Sequence, residues 1–214
     1  MVDKEIKDSL RSRIAVVEAR PTDLDSLATI VPRSFHPANP YIEKTLPDTP
    51  DVRRWWCNVF ALEIEDPTCH LLTAIDSSSD KDIGLLALRL LSSDARDVGF
   101  WTMYDWPADF ERDMFKAMID SMTEYREKLM MGKPHYLIEL FGADHEWKGF
   151  GVGKKLLSRV CEIVDAEGHD VFVQANGSAK SFYEQFGFKC EAEAAMPGER
   201  EYVEYMMVRR YDQR

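Results

Sequence analysis

The sequence predicts a mixed α/β (α+β) domain, on three observations. Strand-like and helix-like runs alternate from residue 14 to residue 210. A run in the middle, HYLIELFGA (135–143), is apolar almost throughout. A glycine-punctuated turn, EWKGFGVG (146–153), joins that run to an amphipathic helix and a further strand.

Taken in order, IAVVEA (14–19) is strand-like and ends at Arg20-Pro21. Thr22, with Asp25 three residues on, opens a short helix that runs through Val31, and the four prolines between Pro32 and Asp48 read as a loop. Thr49-Pro50 starts a second helix, because a proline at the first helical position gives up only an N–H that has no partner there. Val52, Trp55, Trp56, Val59 and Phe60 place one apolar stripe on it before Asp66-Pro67 ends it. Strands His70–Ile75 and Ile83–Leu91 follow, joined by the turn-rich DSSSDKD. Beyond an aromatic patch (Phe100, Trp101, Tyr104, Trp106), a long helix opens at Asp105-Trp106-Pro107. Its stripe runs from Phe110 through Met114, Phe115, Met118, Ile119, Met122 and Tyr125 to Leu129, and Gly132 and Pro134 stop it. The apolar run 135–143 suits a central strand buried on both faces. After the glycine turn, Val152, Leu156, Leu157, Val160, Cys161 and Val164 form a stripe that Gly168 caps. A strand (Val171–Ala175), a helix (Ser178–Phe186) and two strands (Phe188–Ala192 and Tyr202–Arg210) complete the chain. No repeat or linker divides it, so one domain over 1–214 is expected, with a helical insertion at about 97–132.

Composition narrows the function. Of the 214 residues, 45% are hydrophobic and 30% charged, which is globular rather than disordered usage. Lys+Arg 27 against Asp+Glu 38 gives a formal charge of −11, which repels phosphate backbones and attracts cationic small molecules. No apolar run approaches the roughly 18–20 residues of a membrane span. The charged MVDKEIKDSLRSRI lacks the apolar core of a secretory signal, so a cytoplasmic protein is expected, with neither membrane nor nucleic acid as partner. Cys57, Cys69, Cys161 and Cys190 form no CxxC pair and read as reduced thiols. The five histidines show no metal-binding spacing, so no metal is expected.

The chemistry lies in the turn. Gly149, Gly151 and Gly153 let backbone N–H groups close on phosphate oxygens, and a helix beginning near Gly151 adds the favourable end of its dipole. The same glycines would also suit a merely tight strand-to-helix turn. There is no GxxxxGK[ST] run. GFGVGK carries Lys154 where a GxGxxG fingerprint needs its last glycine, so P-loop and Rossmann sites are excluded. The remaining pattern is a strand, E-W-K-G-F-G-V-G, an amphipathic helix, a strand, and Asn176-x-x-Ala179-x-x-Phe182-Tyr183-Glu184-x-x-Gly187-Phe188. Over roughly 135–194 this resembles the GNAT (GCN5-related N-acetyltransferase) superfamily. Residues 148–153 stand at the family's [QR]-x-x-G-x-[GA] turn and 176–188 at its second coenzyme A-contacting segment. The HYLIEL and Y-E-x-x-G-F wording is similar to a fungal-type branch. Lys148 departs from the usual Gln or Arg: it keeps a positive charge but lacks the planar fork of arginine.

The resemblance implies a mostly antiparallel sheet flanked by helices and splayed at its central strands to take coenzyme A. It implies transfer of an acetyl group from acetyl-CoA to the amine of a small acceptor. Lys148, Gly149, Phe150, Gly151, Val152, Gly153 and Lys154 would hold the pyrophosphate. Phe141 and Ala143 would offer main-chain groups to the pantetheine arm, and Asn176 its side chain, although Asn176 would equally cap the next helix. Tyr183 would lie near the thioester sulfur and protonate the leaving thiolate, or else pack ahead of Gly187-Phe188. Glu139, an acid within an apolar strand, is the expected base; the alternative pairs it with a cation such as Arg89. His145 and Glu146 are weaker candidates, and His135 reads as structural. Acceptor specificity would come from 32–60, 97–131 and 194–205, with Phe35, His36, Tyr41, Trp56, Trp101, Tyr104 and Trp106 offering aromatic surface for a cationic or amphipathic amine. An exposed aromatic patch would serve equally as a homodimer interface. Two other readings stay open: a CoA-binding module without turnover, and an interaction protein that binds no CoA.

Overall fold

Seven strands form one sheet in the order β1-β2-β3-β4-β5-β7-β6: β1 (Ile14–Glu18), β2 (Cys69–Asp76), β3 (Lys81–Leu91), β4 (His135–Ala143), β5 (Asp170–Asn176), β6 (Lys189–Ala195) and β7 (Val203–Arg209). This is a computed structural model, and it describes residues 4–94, 99–130, 132–196 and 201–211. β4, the apolar run, is the middle strand. Its pairing with β5 is the one parallel pair among the described strands, and all other pairs are antiparallel.

Helices cover both faces. On one side α2 (Leu24–Phe35), α3 (Pro40–Thr45), α4 (Pro50–Glu65) and α5 (Arg112–Met130) bury the larger cluster, including Leu27, Trp56, Phe60 and Phe115 against Leu85, Leu137 and Phe172. On the other side α6 (Val152–Glu167) and α7 (Lys180–Glu184) pack Leu156, Leu157, Val160 and Tyr183 against Leu86, Ile138 and Val173. Alternation along the central strands feeds the two faces in turn, which is why β3 and β4 are apolar nearly throughout.

Several expectations are corrected. α1 (Lys4–Ser12) precedes β1, where a largely polar sequence gives no readable stripe. The expected capping box of Thr22 and Asp25 is replaced by a 3₁₀ turn over Pro21–Asp23, in which the Asp23 carboxylate accepts the Arg20 N–H at 2.8 Å; α2 follows with Asp23 as N-cap and no side-chain cap bond. The segment expected as a loop from Pro32 holds the last turn of α2, which continues to Phe35, and the whole of α3. Pro32 lacks one donor, yet its carbonyl still accepts from the His36 N–H at 3.1 Å. α5 begins at Arg112 rather than near Asp105, although Phe110 still reaches the core against Trp55 and Phe115. α7 is shorter than 178–186, and Cys161 is only half-buried. The four cysteines are free.

α5 lies in the chain between β3 and β4, within the span 97–132; residues 97, 98 and 131 of that span lie outside the described residues. The aromatic patch before α5 is folded inward. Trp101 is buried, stacked on Phe115 and edge-on to Trp56, and Trp106 donates to the Trp101 carbonyl at 2.8 Å. Met103 and Tyr104 alone of this stretch are exposed large hydrophobics. Trp101 is therefore core, Phe100 and Trp106 are half-buried, and Tyr104 faces outward.

Candidate active site

A gap in the sheet sets up the site. β4 and β5 pair from His135↔Asp170 to Ile138↔Val173 and then part. Beyond that point β4 continues along β3 to Ala143, and β5 continues along β7 to Asn176. One edge of residues 139–143 is thus left without a strand partner, opening a crevice of about 400 Å³. A β-bulge accompanies the parting. Ala87 pairs with Leu140 and Leu88 with Ile138, so Glu139 is the extra residue, and Leu140 joins Leu137 on the larger-cluster face.

The crevice gathers Glu139, Phe141, Ala143, Lys148, Gly153, Asn176 and Tyr183. Its mouth is the glycine turn. Gly149 and Gly151 adopt φ of 85° and 92°, the left-handed region that other residues rarely enter, and Gly151 is the N-cap of α6. Val152, Gly153 and Lys154 make up the first helical turn, whose N–H groups have no acceptor within the helix; the first bond back is Lys155 N–H to the Gly151 carbonyl at 3.0 Å. A Cβ on Gly153 would stand 3.3 Å from the Phe141 ring and 3.5 Å from that of Phe182, so side-chain bulk is excluded where these N–H groups gather. This is a cradle for an anion. Phe150 packs on Trp147, and Val152 is buried against Gly84, fixing the turn from below. Gly149, Phe150, Gly151, Val152 and Lys154 flank the crevice through the turn rather than lining it.

A cation not evident from sequence stands beside the turn. A Cβ on Gly151 would come within 3.9 Å of the Arg11 Cγ and Nε, so α1 brings a guanidinium to the turn. Asp144, buried at the end of β4, holds the approach. It takes Arg33 at 2.8 Å and the Glu146 N–H at 3.0 Å.

Tyr183 lies in the crevice wall, 3% exposed, among Phe141, Phe182 and Phe188. Burial pushes its phenol well above the ordinary tyrosine value, so it carries its proton at neutral pH. The oxygen of Asn176 accepts from Ser178 Oγ at 2.6 Å and the Ala179 N–H at 3.1 Å, which closes the turn before α7; the N-cap of α7 itself is Ala179, with no side-chain cap bond. His145 and Glu146 are exposed on a 3₁₀ turn and do not line the crevice. His135 is buried at the far end of β4 against the Lys133 carbonyl, its pKa lowered first by burial.

Glu139 takes the paired arrangement. Its carboxylate meets Arg89 Nε at 2.8 Å, and the two side chains are 1% and 10% exposed. Glu63 of α4, wholly buried, lies against the same pair. Burial, then the charge of Glu139, raises its pKa well above the ordinary value and favours its protonated form. Glu63 continues the predicted stripe one step past Phe60, a signal in the sequence that the apolar pattern obscured.

A second carboxylate, missed from sequence, also lines the crevice. Glu204 of β7 is 5% exposed and accepts from Gln174 Nε2 and, at 3.0 Å, from the Tyr202 hydroxyl. Tyr202 in turn accepts from Asn39 Nδ2 at 2.7 Å and stacks on Tyr41 at 4.5 Å. Of the aromatic residues expected to face an acceptor, Phe35 and Trp101 line the crevice. Tyr41 backs Tyr202, His36 bonds the Leu46 carbonyl, and Trp56 is deep core. Residues 197–200 of the span 194–205 lie outside the described residues.

Residues 117–206 match the family model for the acetyltransferase (GNAT) domain. No curated protein matches in sequence. Solved structures with the same fold include a mosquito arylalkylamine N-acetyltransferase-like 5b protein (16% identity, 92% of this chain and 99% of that one, TM-score 0.68). An agmatine N-acetyltransferase mutant also shares it (14%, 92% and 98%, 0.62). So does the PaiA N-acetyltransferase of Thermoplasma acidophilum in complex with coenzyme A (16%, 92% and 99%, 0.57). The likeness is to the superfamily and does not single out a fungal-type branch.

Proposed function

We propose that this chain, a member of the GNAT superfamily, transfers an acetyl group from acetyl-CoA to the amine of a small acceptor. The observation that carries the reading is the splayed β4–β5 crevice with an anion cradle at its mouth and a protonated, buried phenol in its wall. The N–H groups of the glycine turn, with Lys148 and Arg11 beside them, suit a pyrophosphate. The unpaired edge of β4 around Phe141–Ala143 suits the amides of a pantetheine arm, which would lie along it as a strand does. Gly142 lets α2 approach that strand, since a Cβ there would collide with Ser34 Oγ.

In this reading a neutral amine attacks the acetyl carbonyl carbon. The new C–N bond forms as the C–S bond breaks, and Tyr183 gives its proton to the departing sulfur. One of the two carboxylates in the crevice takes the proton from the amine. The rest of the crevice is apolar, with Trp101, Met118, Ile119, Met122, Ile42 and Leu46 in its walls. That favours an acceptor whose amine sits on an apolar arm over one that carries a second charge, as agmatine does. Among the described residues no helix is long and apolar enough to cross a membrane.

The test is release of CoA thiol from acetyl-CoA in the presence of primary amines, with the acetylated amine identified by mass. Turnover with arylalkyl or alkyl amines is expected. Binding of acetyl-CoA with no thiol released by any amine would favour a binding module instead.

A further inference from the structure

We propose that Glu204 is the group that receives the acceptor's amine, pairing with it as an ammonium and then taking the proton it loses. The assignment rests on the acetyltransfer reading above and identifies which carboxylate serves it.

Glu204 is a buried carboxylate in the crevice wall, and among the described residues no lysine or arginine forms a salt bridge with it. Its partners are neutral donors. Gln174 Nε2 and the Tyr202 hydroxyl both donate to it, and Asn39 Nδ2 donates to Tyr202, so the chain of hydrogen bonds runs towards the carboxylate. Such donors hold the carboxylate in place and favour its ionised form without neutralising it. A buried anion with neutral partners is stabilised strongly by an arriving cation, because little solvent screens the pair. Burial acts the other way on the carboxyl, raising its pKa from the ordinary value, which strengthens it as a proton acceptor.

Position supports the role. In the register Glu204 stands opposite Asn176, on the strand next to the one that parts from β4, so it flanks the open end of the crevice. The apolar walls of α5 and α3 then take the acceptor's arm. Glu139 differs in carrying a permanent cation. A second cation would have to displace Arg89 from a pair 2.8 Å apart.

The step balances as follows. Glu204 holds the incoming ammonium and accepts one proton from it; the freed nitrogen bonds to the acetyl carbon, the C–S bond breaks, and the thiolate takes the Tyr183 proton. Glu204 passes that proton to solvent and then takes the second proton, which the acylated nitrogen sheds to become the amide; Tyr183 recovers one proton from solvent, so one proton is released overall.

Two readouts test the assignment, using 2-phenylethylamine and the uncharged 2-phenylethanol as probes. In the first, binding to the CoA-loaded protein is measured by calorimetry. The wild type is expected to prefer the amine by at least tenfold, and Glu204→Gln to lose that preference while retaining its response to acetyl-CoA. In the second, thiol release is expected to fall at least 100-fold in Glu204→Gln, to recover in part in Glu204→Asp, and to fall about five- to tenfold in Tyr202→Phe, which removes one donor. Equal preference for amine over alcohol in wild type and Glu204→Gln, or a Glu204→Gln rate within threefold of wild type, overturns the assignment. Loss of the acetyl-CoA response in the wild type would instead overturn the acetyltransfer reading. The binding measurement needs no turnover, so the two failures are distinct.

Discussion

Glu139 and Glu204 stand on the strands either side of β5, both buried, both in the wall of one crevice, yet their surroundings are opposite. Glu139 is tied to Arg89, with Glu63 behind it and the Arg89 guanidinium over the Phe100 ring at 5.6 Å. That cluster neutralises itself and holds α4 to the sheet. Among the described residues, the hydrogen-bond partners of Glu204 are neutral donors. The difference teaches that burial alone does not mark a reacting carboxylate; what neutralises its charge does. A carboxylate with a built-in cation belongs to the architecture, and one held by neutral donors is ready for a cationic ligand.

The largest expected effect breaks the Glu139 side. Arg89→Met leaves Glu139 buried without its cation and should cost about 3–5 kcal/mol of stability. For a chain of this length that is roughly 6–20 °C in melting temperature. A drop of less than 2 °C would show that the pair does not anchor the fold. Next comes Glu63→Gln, read as a function of pH. In the unfolded chain Glu63 titrates near 4.5, whereas the folded chain holds its proton to higher pH. Above 4.5 the unfolded state therefore binds fewer protons than the folded one, and stability falls by about 1.4 kcal/mol per pH unit until the folded value is passed. Gln removes that slope, so the variant should gain on the wild type as pH rises above 4.5; a difference that stays constant with pH would contradict the raised pKa of Glu63.

Smaller effects sharpen the reacting side. Tyr183→Phe should lower kcat about tenfold with little change in KM, since thiolate is a fair leaving group without help. An unchanged kcat would make Tyr183 a packing residue. Arg11→Ala should weaken acetyl-CoA binding about two- to fivefold, and less at high salt, as expected of an exposed cation near phosphate. Titration at two ionic strengths reads this directly, and a salt-independent loss would point to displacement of α1 instead.

The parts of the fold legible in sequence were those with a strong period or a rigid turn chemistry. The apolar strand 135–143, the Gly149-Gly151-Gly153 turn and the helix capped by Gly168 all appear where expected. Pro32 misled, because a proline reads as a break although a helix with one turn left can absorb it. α1 carries too few apolar residues to register. The crevice itself follows from where β4 and β5 stop pairing, a property of two distant segments that no local pattern encodes. Glu204 had a signal: Tyr202, Glu204, Met206 and Val208 alternate on one face of β7, and the last two are core, so the acid between them had to be buried. Its partners Asn39 and Gln174 come from remote elements, and only the folded chain brings them together.

The most direct measurement is thermal unfolding with acetyl-CoA and with CoA, against ATP and NADH. At about 100 times its dissociation constant a ligand adds roughly 2.7 kcal/mol, or about 5–10 °C here. The account predicts that rise with acetyl-CoA and CoA and none of comparable size with ATP or NADH. No shift with acetyl-CoA, in folded protein free of copurified CoA, would contradict the crevice and its glycine turn as an acyl-CoA site.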